Sequence, residues 1–147
     1  MKEIKKNRED IKSENKIDIE ALKKSENFAE SFIDRLLLND LRIDAMIDSI
    51  VEIIAIDDPV GDIKELKTMP SGIKVGKMSM PLGVIAMIYE SRPNVTIDAS
   101  ALSIKSGNSI ILRGGSESIR TNIVLEKCVK KALQENNVNT NAVQLIN

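Results

Sequence analysis

Two short, mainly apolar runs most constrain what this chain can fold into. Residues 83–89 read GVIAMIY and residues 109–112 read SIIL, without the polar alternation of a strand that faces water on one side. Such runs predict strands covered on both faces, as in a parallel sheet. Residues 95–106, between the two runs, have a helical pattern, and Gly107 is well placed just past the end of that helix.

The same alternation of strand and helix continues to the end of the sequence. Residues 117–135 predict a further helix, and residues 142–146 predict a third strand. This order predicts right-handed βαβ units and a parallel sheet. Because open parallel sheets bind ligands beyond the carboxyl ends of their strands, we expect the site at residues 89–94 and 113–117.

The first part of the chain has a different character, because no glycine or proline occurs before residue 57. Residues 2–24 predict polar helices that need a packing partner, and residues 26–38 predict a short helix. Asn39 or Asp40 is expected to cap a helix running to about residue 56. Its expected apolar face is Ile43, Met46, Ile47, Ile50 and Ile54.

Residues 72–80 alternate between apolar and polar side chains, with Gly76 as a candidate bulge. The prediction is therefore an α/β chain with two parts. Residues 1–70 form an N-terminal helical segment, and residues 71–147 form a partial Rossmann-like domain with the order βαβαβ.

Composition excludes several classes of function. The 147 residues suit one domain, and 21 basic against 22 acidic side chains leave a net charge of −1. Near-neutral charge gives no electrostatic reason to expect nucleic acid or an anionic membrane as partner. The chain has no histidine and one cysteine, so we expect no metal site and no internal disulfide. Without an apolar run of about 20 residues or a signal-like start, a cytoplasmic location is expected.

The cluster at 113–117 has the chemistry of a nucleotide site. Gly114 and Gly115 allow a tight turn and a close approach to a ligand, and Ser116 is expected to begin a helix whose N–H groups favour an anion. Arg113 suits a phosphate, and Glu117 can accept from a ribose hydroxyl. A plain turn with a helix cap explains the same residues equally well, and the G-x-G-x-x-G fingerprint is absent.

The cluster at 90–94 also has two interpretations. Arg92 could pair with a substrate carboxylate or phosphate, and Asn94 could donate to a carbonyl oxygen that becomes negative during the reaction. Alternatively, Pro93 starts the next helix and Asn94 or Thr96 caps it, which the residues alone favour. The thiol of Cys128 falls within an apolar helical stripe, so it is expected to be a buried structural residue rather than a nucleophile.

The segment PLGVIAMIYESRPNVTIDASALSIKSGNSIILRGGSE, over residues 81–117, resembles the signature region of the glutamate-5-semialdehyde dehydrogenase family, also called gamma-glutamyl phosphate reductase. The likeness extends through DRLLLND and DDPVG upstream and AVQLIN downstream. The family lies within the aldehyde dehydrogenase superfamily, so the resemblance implies an aldehyde dehydrogenase-like cofactor domain, here truncated.

The resemblance implies an oxidoreductase of proline biosynthesis. Its expected reaction is the NADPH-dependent reduction of L-glutamyl 5-phosphate to L-glutamate 5-semialdehyde and phosphate, through attack of a cysteine thiolate on the acyl carbon. It assigns the oxyanion role to Asn94 and NADP binding to the stretch Arg113, Gly114, Gly115, Ser116 and Glu117.

Cys128 does not match the position of the family's nucleophile, so the resemblance implies a fragment that is inactive alone. The alternative function is a non-catalytic nucleotide-binding or assembly fragment. Such a fragment would pair with a complementing C-terminal half or form a homo-oligomer.

Overall fold

The computed structural model describes residues 1–24 and 29–146. The helices are α1 (Lys2–Lys6), α2 (Arg8–Lys23), α3 (Glu30–Leu36), α4 (Asp40–Ala55), α5 (Asn94–Lys105) and α6 (Ile119–Glu135). The strands are β1 (Ile63–Thr68), β2 (Lys74–Met78), β3 (Val84–Ile88), β4 (Ser109–Arg113) and β5 (Val143–Leu145). Among these residues, no helix is both long and apolar enough to cross a bilayer.

The predicted parallel sheet is confirmed. Its strand order is β3-β4-β5, and both pairings are parallel. β4 lies in the centre and buries Ile110 and Leu112 against Leu133 of α6 and Val143 of β5. Gly107, just past α5, has a φ of +72° and so provides the left-handed turn that returns the chain to the sheet.

The expectation that residues 83–89 are covered on both faces is wrong for β3. Val84 is 67% exposed and Ile88 is 78% exposed, whereas Ile85 is half-buried against the core of the sheet. The reason is topological, because β3 is an edge strand of this sheet. Within the described residues, nothing covers its outer edge or its second face, although the apolar composition suits a covered strand.

A hairpin of β1 and β2 stands apart from the parallel sheet. The two strands are antiparallel and exposed along their whole length, and β1 was not predicted from the sequence. The bulge lies in β1 rather than at Gly76, since the pairing steps from Lys64 to Lys67 while the partner strand advances by only two residues. Gly76 is the single residue opposite the bulge, where a Cβ would come within 3.0 Å of the Ile63 side chain.

The prediction for α4 is confirmed at its start and corrected at its end. The side chain of Asn39 accepts a hydrogen bond from the backbone N–H of Arg42 at 2.9 Å and caps the helix. Ile54 is 57% exposed, and Ile53 is buried in its place. Ile53 follows Met46 by seven residues, so the buried stripe continues through it. Of the short helix predicted over 26–38, residues 26–28 lie outside the described residues.

The N-terminal helices pack on the outer side of α5 and α6 and share one core with them. That cluster joins Ile4, Ile11, Leu38, Ile43, Met46, Ile47, Ile97, Leu125 and Cys128. The core therefore draws on residues from both sides of the expected boundary at 70/71, which stays a prediction. Cys128 is 4% exposed, as its apolar neighbours in the sequence indicate.

A buried amide fixes the turn between α3 and α4. The side chain of Asn15 on α2 donates to the carbonyl oxygen of Leu36 at 2.8 Å and accepts from the backbone N–H of Leu38 at 2.7 Å. Because both backbone groups are buried, each needs a partner inside the protein. This contact sets where α4 begins, and α4 forms one wall of the groove described below.

Candidate functional site

The two polar clusters of the sequence lie side by side at the carboxyl edge of the parallel sheet. The hydroxyl of Ser91 donates to Oε2 of Glu117 at 2.9 Å, and the backbone N–H of Tyr89 donates to the carbonyl oxygen of Arg113 at 3.0 Å. Ser91 is buried at this contact. The parallel pairing of β3 and β4 brings the clusters together, because it aligns Ile88 with Arg113 at the ends of the strands.

The Gly114–Gly115 pair is explained by packing inside the protein. A Cβ on Gly114 would overlap the amide nitrogen of Asn122 and lie 3.1 Å from the ring of Tyr89. A Cβ on Gly115 would come within 2.6 Å of both Ser91 Oγ and a carboxylate oxygen of Glu117. The space beside both glycines is thus filled by the protein's own side chains. A backbone approach to a cofactor at this pair stays a prediction.

A chain of buried and half-buried hydrogen bonds, which no sequence pattern predicted, supports this turn. The hydroxyl of Tyr89 bonds Thr96 Oγ1 at 2.7 Å, and Thr96 donates to Asn122 Oδ1 at 3.0 Å. Asn122 then donates to Ser118 Oγ at 2.9 Å, and Ser118 donates to the carbonyl oxygen of Gly115 at 3.0 Å. Burial raises the pKa of the Tyr89 phenol. The chain ties the end of β3 and the start of α5 to the turn after β4.

The N-terminus of α6 is capped by a carboxylate of the protein itself. Ser116 begins a three-residue 3-10 turn, and α6 itself starts at Ile119. Asp18 of α2 accepts from the backbone N–H of Thr121 at 2.8 Å and from that of Arg120 at 3.4 Å. The α-helix therefore begins three residues later than expected, and a buried Asp18 satisfies its first turn, whereas anion binding at Ser116 stays a prediction.

Three side chains at this edge remain open to a ligand. Arg113 and Ser116 are exposed, and Glu117 is half-buried with one oxygen engaged by Ser91. Among the side chains that the structure describes, the guanidinium of Arg113 has no ion-pair partner. An unpaired arginine beside a carboxylate fits the phosphate and hydroxyl groups of a nucleotide.

Arg92 and Asn94 face a separate groove. It has a volume of about 360 Å³ and is lined by Asp34, Arg35, Leu37, Leu38, Arg42, Ala45, Met46, Ser49, Arg92, Asn94 and Asp98. No residue of 113–117 lines it, so the structure divides the predicted site residues between the groove and the edge of the sheet. The groove lies between the α3–α4 region and the first turns of α5.

Neither Asn94 nor Thr96 caps α5, so the capping alternative is wrong. The N-cap residue is Pro93, and no side chain makes a capping hydrogen bond there. Asn94 is the first residue of the helix, and its amide nitrogen donates to Asp98 Oδ2 at 3.2 Å. The amide has a second N–H, which remains available to a ligand in the groove.

The polar groups of the groove are partly paired already. Arg35 pairs with Glu90 at 3.0 Å, and Arg42 pairs with Asp34 at 2.6 Å. The guanidinium of Arg92 is exposed and has no ion-pair partner within residues 1–24 and 29–146. Within the same ranges, no cluster of three acidic or cysteine side chains is arranged to hold a metal ion.

A parallel sheet with helices packed on it and polar side chains at its carboxyl edge defines an α/β protein of the class that binds ligands at the ends of its strands. Comparison with known proteins shows which members of this class the chain resembles. No protein-family model matches the chain. The gamma-glutamyl phosphate reductase of Ruthia magnifica is 52% identical over 124 residues, which cover 84% of this chain and 30% of the relative. That of Aquifex aeolicus is 48% identical over 97% of this chain and 33% of the relative.

Solved structures agree with these relatives. The crystal structure of gamma-glutamyl phosphate reductase from Thermotoga maritima matches with a TM-score of 0.93 at 37% identity, over 99% of this chain and 35% of that one. The enzyme from Saccharomyces cerevisiae matches with a TM-score of 0.86 at 34% identity. Over almost its whole length, the chain is therefore similar to proteins named gamma-glutamyl phosphate reductase. It spans about one third of the length of the relatives that it matches.

Proposed function

We propose that this chain forms the cofactor-binding edge and part of the substrate pocket of an NADPH-dependent reductase. The reaction converts L-glutamyl 5-phosphate to L-glutamate 5-semialdehyde and phosphate, in proline biosynthesis. The observation that carries the proposal is the hydrogen bond from Ser91 to Glu117, which joins the two polar clusters at one edge of the sheet. The family name of the relatives supports the substrate.

The residues at the edge of the sheet fit NADP. Arg113 is exposed and has no ion-pair partner within the described part of the chain. It suits the additional phosphate of this cofactor, since a guanidinium can make two parallel hydrogen bonds to a phosphate. Glu117 is anchored by Ser91 through one oxygen, so its other oxygen can accept from a ribose hydroxyl. Gly114, Gly115 and Ser116 form the surface between these two side chains.

The reduction breaks the bond from the acyl carbon to the phosphate oxygen, and phosphate leaves with that electron pair. NADPH, when bound, supplies the hydride that the acyl carbon gains. Asn94 donates its second amide N–H to the oxygen that becomes negative, while its first N–H donates to Asp98. Arg92 binds an anionic group of the substrate in the groove.

Cys128 does not supply a nucleophile. Burial, together with the charge of Glu3, raises the pKa of its thiol to about 11. At neutral pH such a thiol is protonated, and its position in the core keeps substrates away from it. Because this is the chain's single cysteine, we expect the chain alone to have no thiol-dependent reductase activity.

A second candidate function is a non-catalytic nucleotide-binding or assembly fragment. The exposed edge of β3 and the exposed β1–β2 hairpin favour it, because unpaired apolar strands pair readily with another chain. The partner would be a complementing half or a second copy. Mixing the chain with the remainder of a homologous reductase separates the two functions, since recovered reductase activity supports the first.

Titration with NADPH and NADH, followed by the fluorescence of the nicotinamide ring, tests the cofactor proposal. NADPH should bind more tightly, and Arg113→Gln should weaken NADPH binding about tenfold, with a smaller effect on NADH. Lys131→Gln also removes one positive charge, at a position about three turns after the start of α6, and serves as the control. Equal loss of NADPH and NADH affinity in Arg113→Gln would contradict the role of Arg113 at the additional phosphate.

A further inference from the structure

Among the described residues, two charged side chains of the groove between α4 and α5 lack a partner of opposite charge. These are Asp98, half-buried on α5, and Arg92, exposed just before that helix. The other arginines of the groove are already engaged, Arg35 with Glu90 and Arg42 with Asp34. One carboxylate and one guanidinium therefore remain for a ligand within a single cavity of about 360 Å³.

Neutral donors hold the carboxylate of Asp98 in place. Ser49 of α4 donates to its Oδ1 at 2.6 Å, and Asn94 donates to its Oδ2 at 3.2 Å. These bonds fix the direction of the carboxylate without neutralising its charge. A carboxylate offers about four acceptor positions, so two bonds leave it able to accept from a cation.

Arg42 makes the opposite wall rigid. It pairs with Asp34 at 2.6 Å and also donates to the carbonyl oxygen of Leu37 at 3.1 Å. With Arg42 committed to these contacts, an anionic group that enters the groove has Arg92 as its available cation. An ammonium group has Asp98 as its available anion.

We propose that this groove recognises the α-amino-acid end of the substrate, with Asp98 binding the ammonium group and Arg92 the carboxylate. The identity of the substrate rests on the function proposed above. Asp98 is thereby a specificity-determining residue, which selects an amino acid over the corresponding dicarboxylate. Ser49 is a positioning residue that orients Asp98.

L-glutamate and glutarate test this proposal on the 147-residue chain, because the two probes differ only in the ammonium group. Glutarate carries the greater negative charge, so attraction to Arg92 alone favours glutarate. We expect L-glutamate to bind about tenfold more tightly, which is the effect of one charge-assisted hydrogen bond. Binding is measured from amide chemical shifts during titration.

The variant Asp98→Asn should abolish the preference for L-glutamate while leaving glutarate binding within about twofold, since Asn can still accept from Ser49. The matched control Asp48→Asn changes an exposed carboxylate on α4 that does not line the groove, and it should keep the preference. Ser49→Ala should reduce the preference without abolishing it. Circular dichroism of each variant establishes that it is folded.

Three results overturn the proposal: no binding of L-glutamate by the original chain, a preference that survives in Asp98→Asn, or an equal loss in Asp48→Asn. The cofactor titration is independent of this test. Loss of NADPH binding together with an intact preference for L-glutamate contradicts the proposed reductase function and leaves the amino-acid groove standing. Binding of NADPH without a preference for L-glutamate refutes the groove proposal alone.

Discussion

Substitution of Gly114 by alanine tests whether the turn after β4 is shaped by internal packing. The new methyl group would overlap the amide nitrogen of Asn122 and crowd the ring of Tyr89 at 3.1 Å. Asn122 cannot move aside cheaply, because it is buried and bonds both Thr96 at 3.0 Å and Ser118 at 2.9 Å.

Two effects set the magnitude of this change. Overpacking a filled interior costs about 1–3 kcal/mol, and leaving one buried hydrogen-bonding group without a partner costs a further 1–3 kcal/mol or so. We therefore expect Gly114→Ala to lower the free energy of unfolding by about 3 kcal/mol. Urea denaturation followed by circular dichroism should show the midpoint fall by about 1–3 M.

A double-mutant cycle isolates the cause of the loss. Asn122→Ala removes the amide that the new methyl group would strike, so adding Gly114→Ala to it should cost about 1 kcal/mol or less. Should Gly114→Ala cost as much in the Asn122→Ala background as in the original chain, the clash with Asn122 is not the reason for glycine at position 114.

Other predictions concern the helical part of the core. Asp18→Asn should lower the free energy of unfolding by about 1–2 kcal/mol, because it removes the charge on α2 that caps α6. The control Glu20→Gln, an exposed change on α2, should alter it by no more than about 0.5 kcal/mol in the same urea assay. The pKa of Cys128 is raised in the folded protein to about 11, so its contribution to stability is fully present below about pH 9 and is lost as the pH rises towards 11. The difference in unfolding free energy between the original chain and Cys128→Ala should therefore shrink over that range. A difference that stays constant with pH would show that the thiol is not protected by burial.

Local patterns were sufficient to predict the existence of most elements. The runs that became β3 and β4 are short and mostly apolar, and the stripe through Ile43 and Met46 repeats with the period of a helix. Neighbouring residues alone determine both patterns. The parallel order then predicted that residues 90–94 and 113–117 share one edge. The strand β1 escaped prediction because its sequence, IKELKT, carries no clear alternation and depends on pairing with β2.

The candidate site was less predictable because its geometry depends on distant partners. Asp18 reaches the start of α6 across 103 residues of sequence, and no local pattern predicts that a carboxylate of α2 caps this helix. Likewise, Arg92 and Arg113 follow neighbouring strands, but the packing of α4 against α5 creates a groove lined by Arg92 and not by Arg113.

The contact between Asp18 and Thr121 also has a consequence for the order in which the protein folds during synthesis. The two residues are 103 positions apart, and at a translation rate of about 5–20 residues per second the ribosome needs roughly 5–20 s to make the intervening chain. Throughout that interval the apolar side of α2 lacks its docking surface on α6. Ile19 can pack against Leu36 of α3 soon after its synthesis, whereas Ile11 completes its packing against Leu125 and Cys128 only after α6 has left the ribosome.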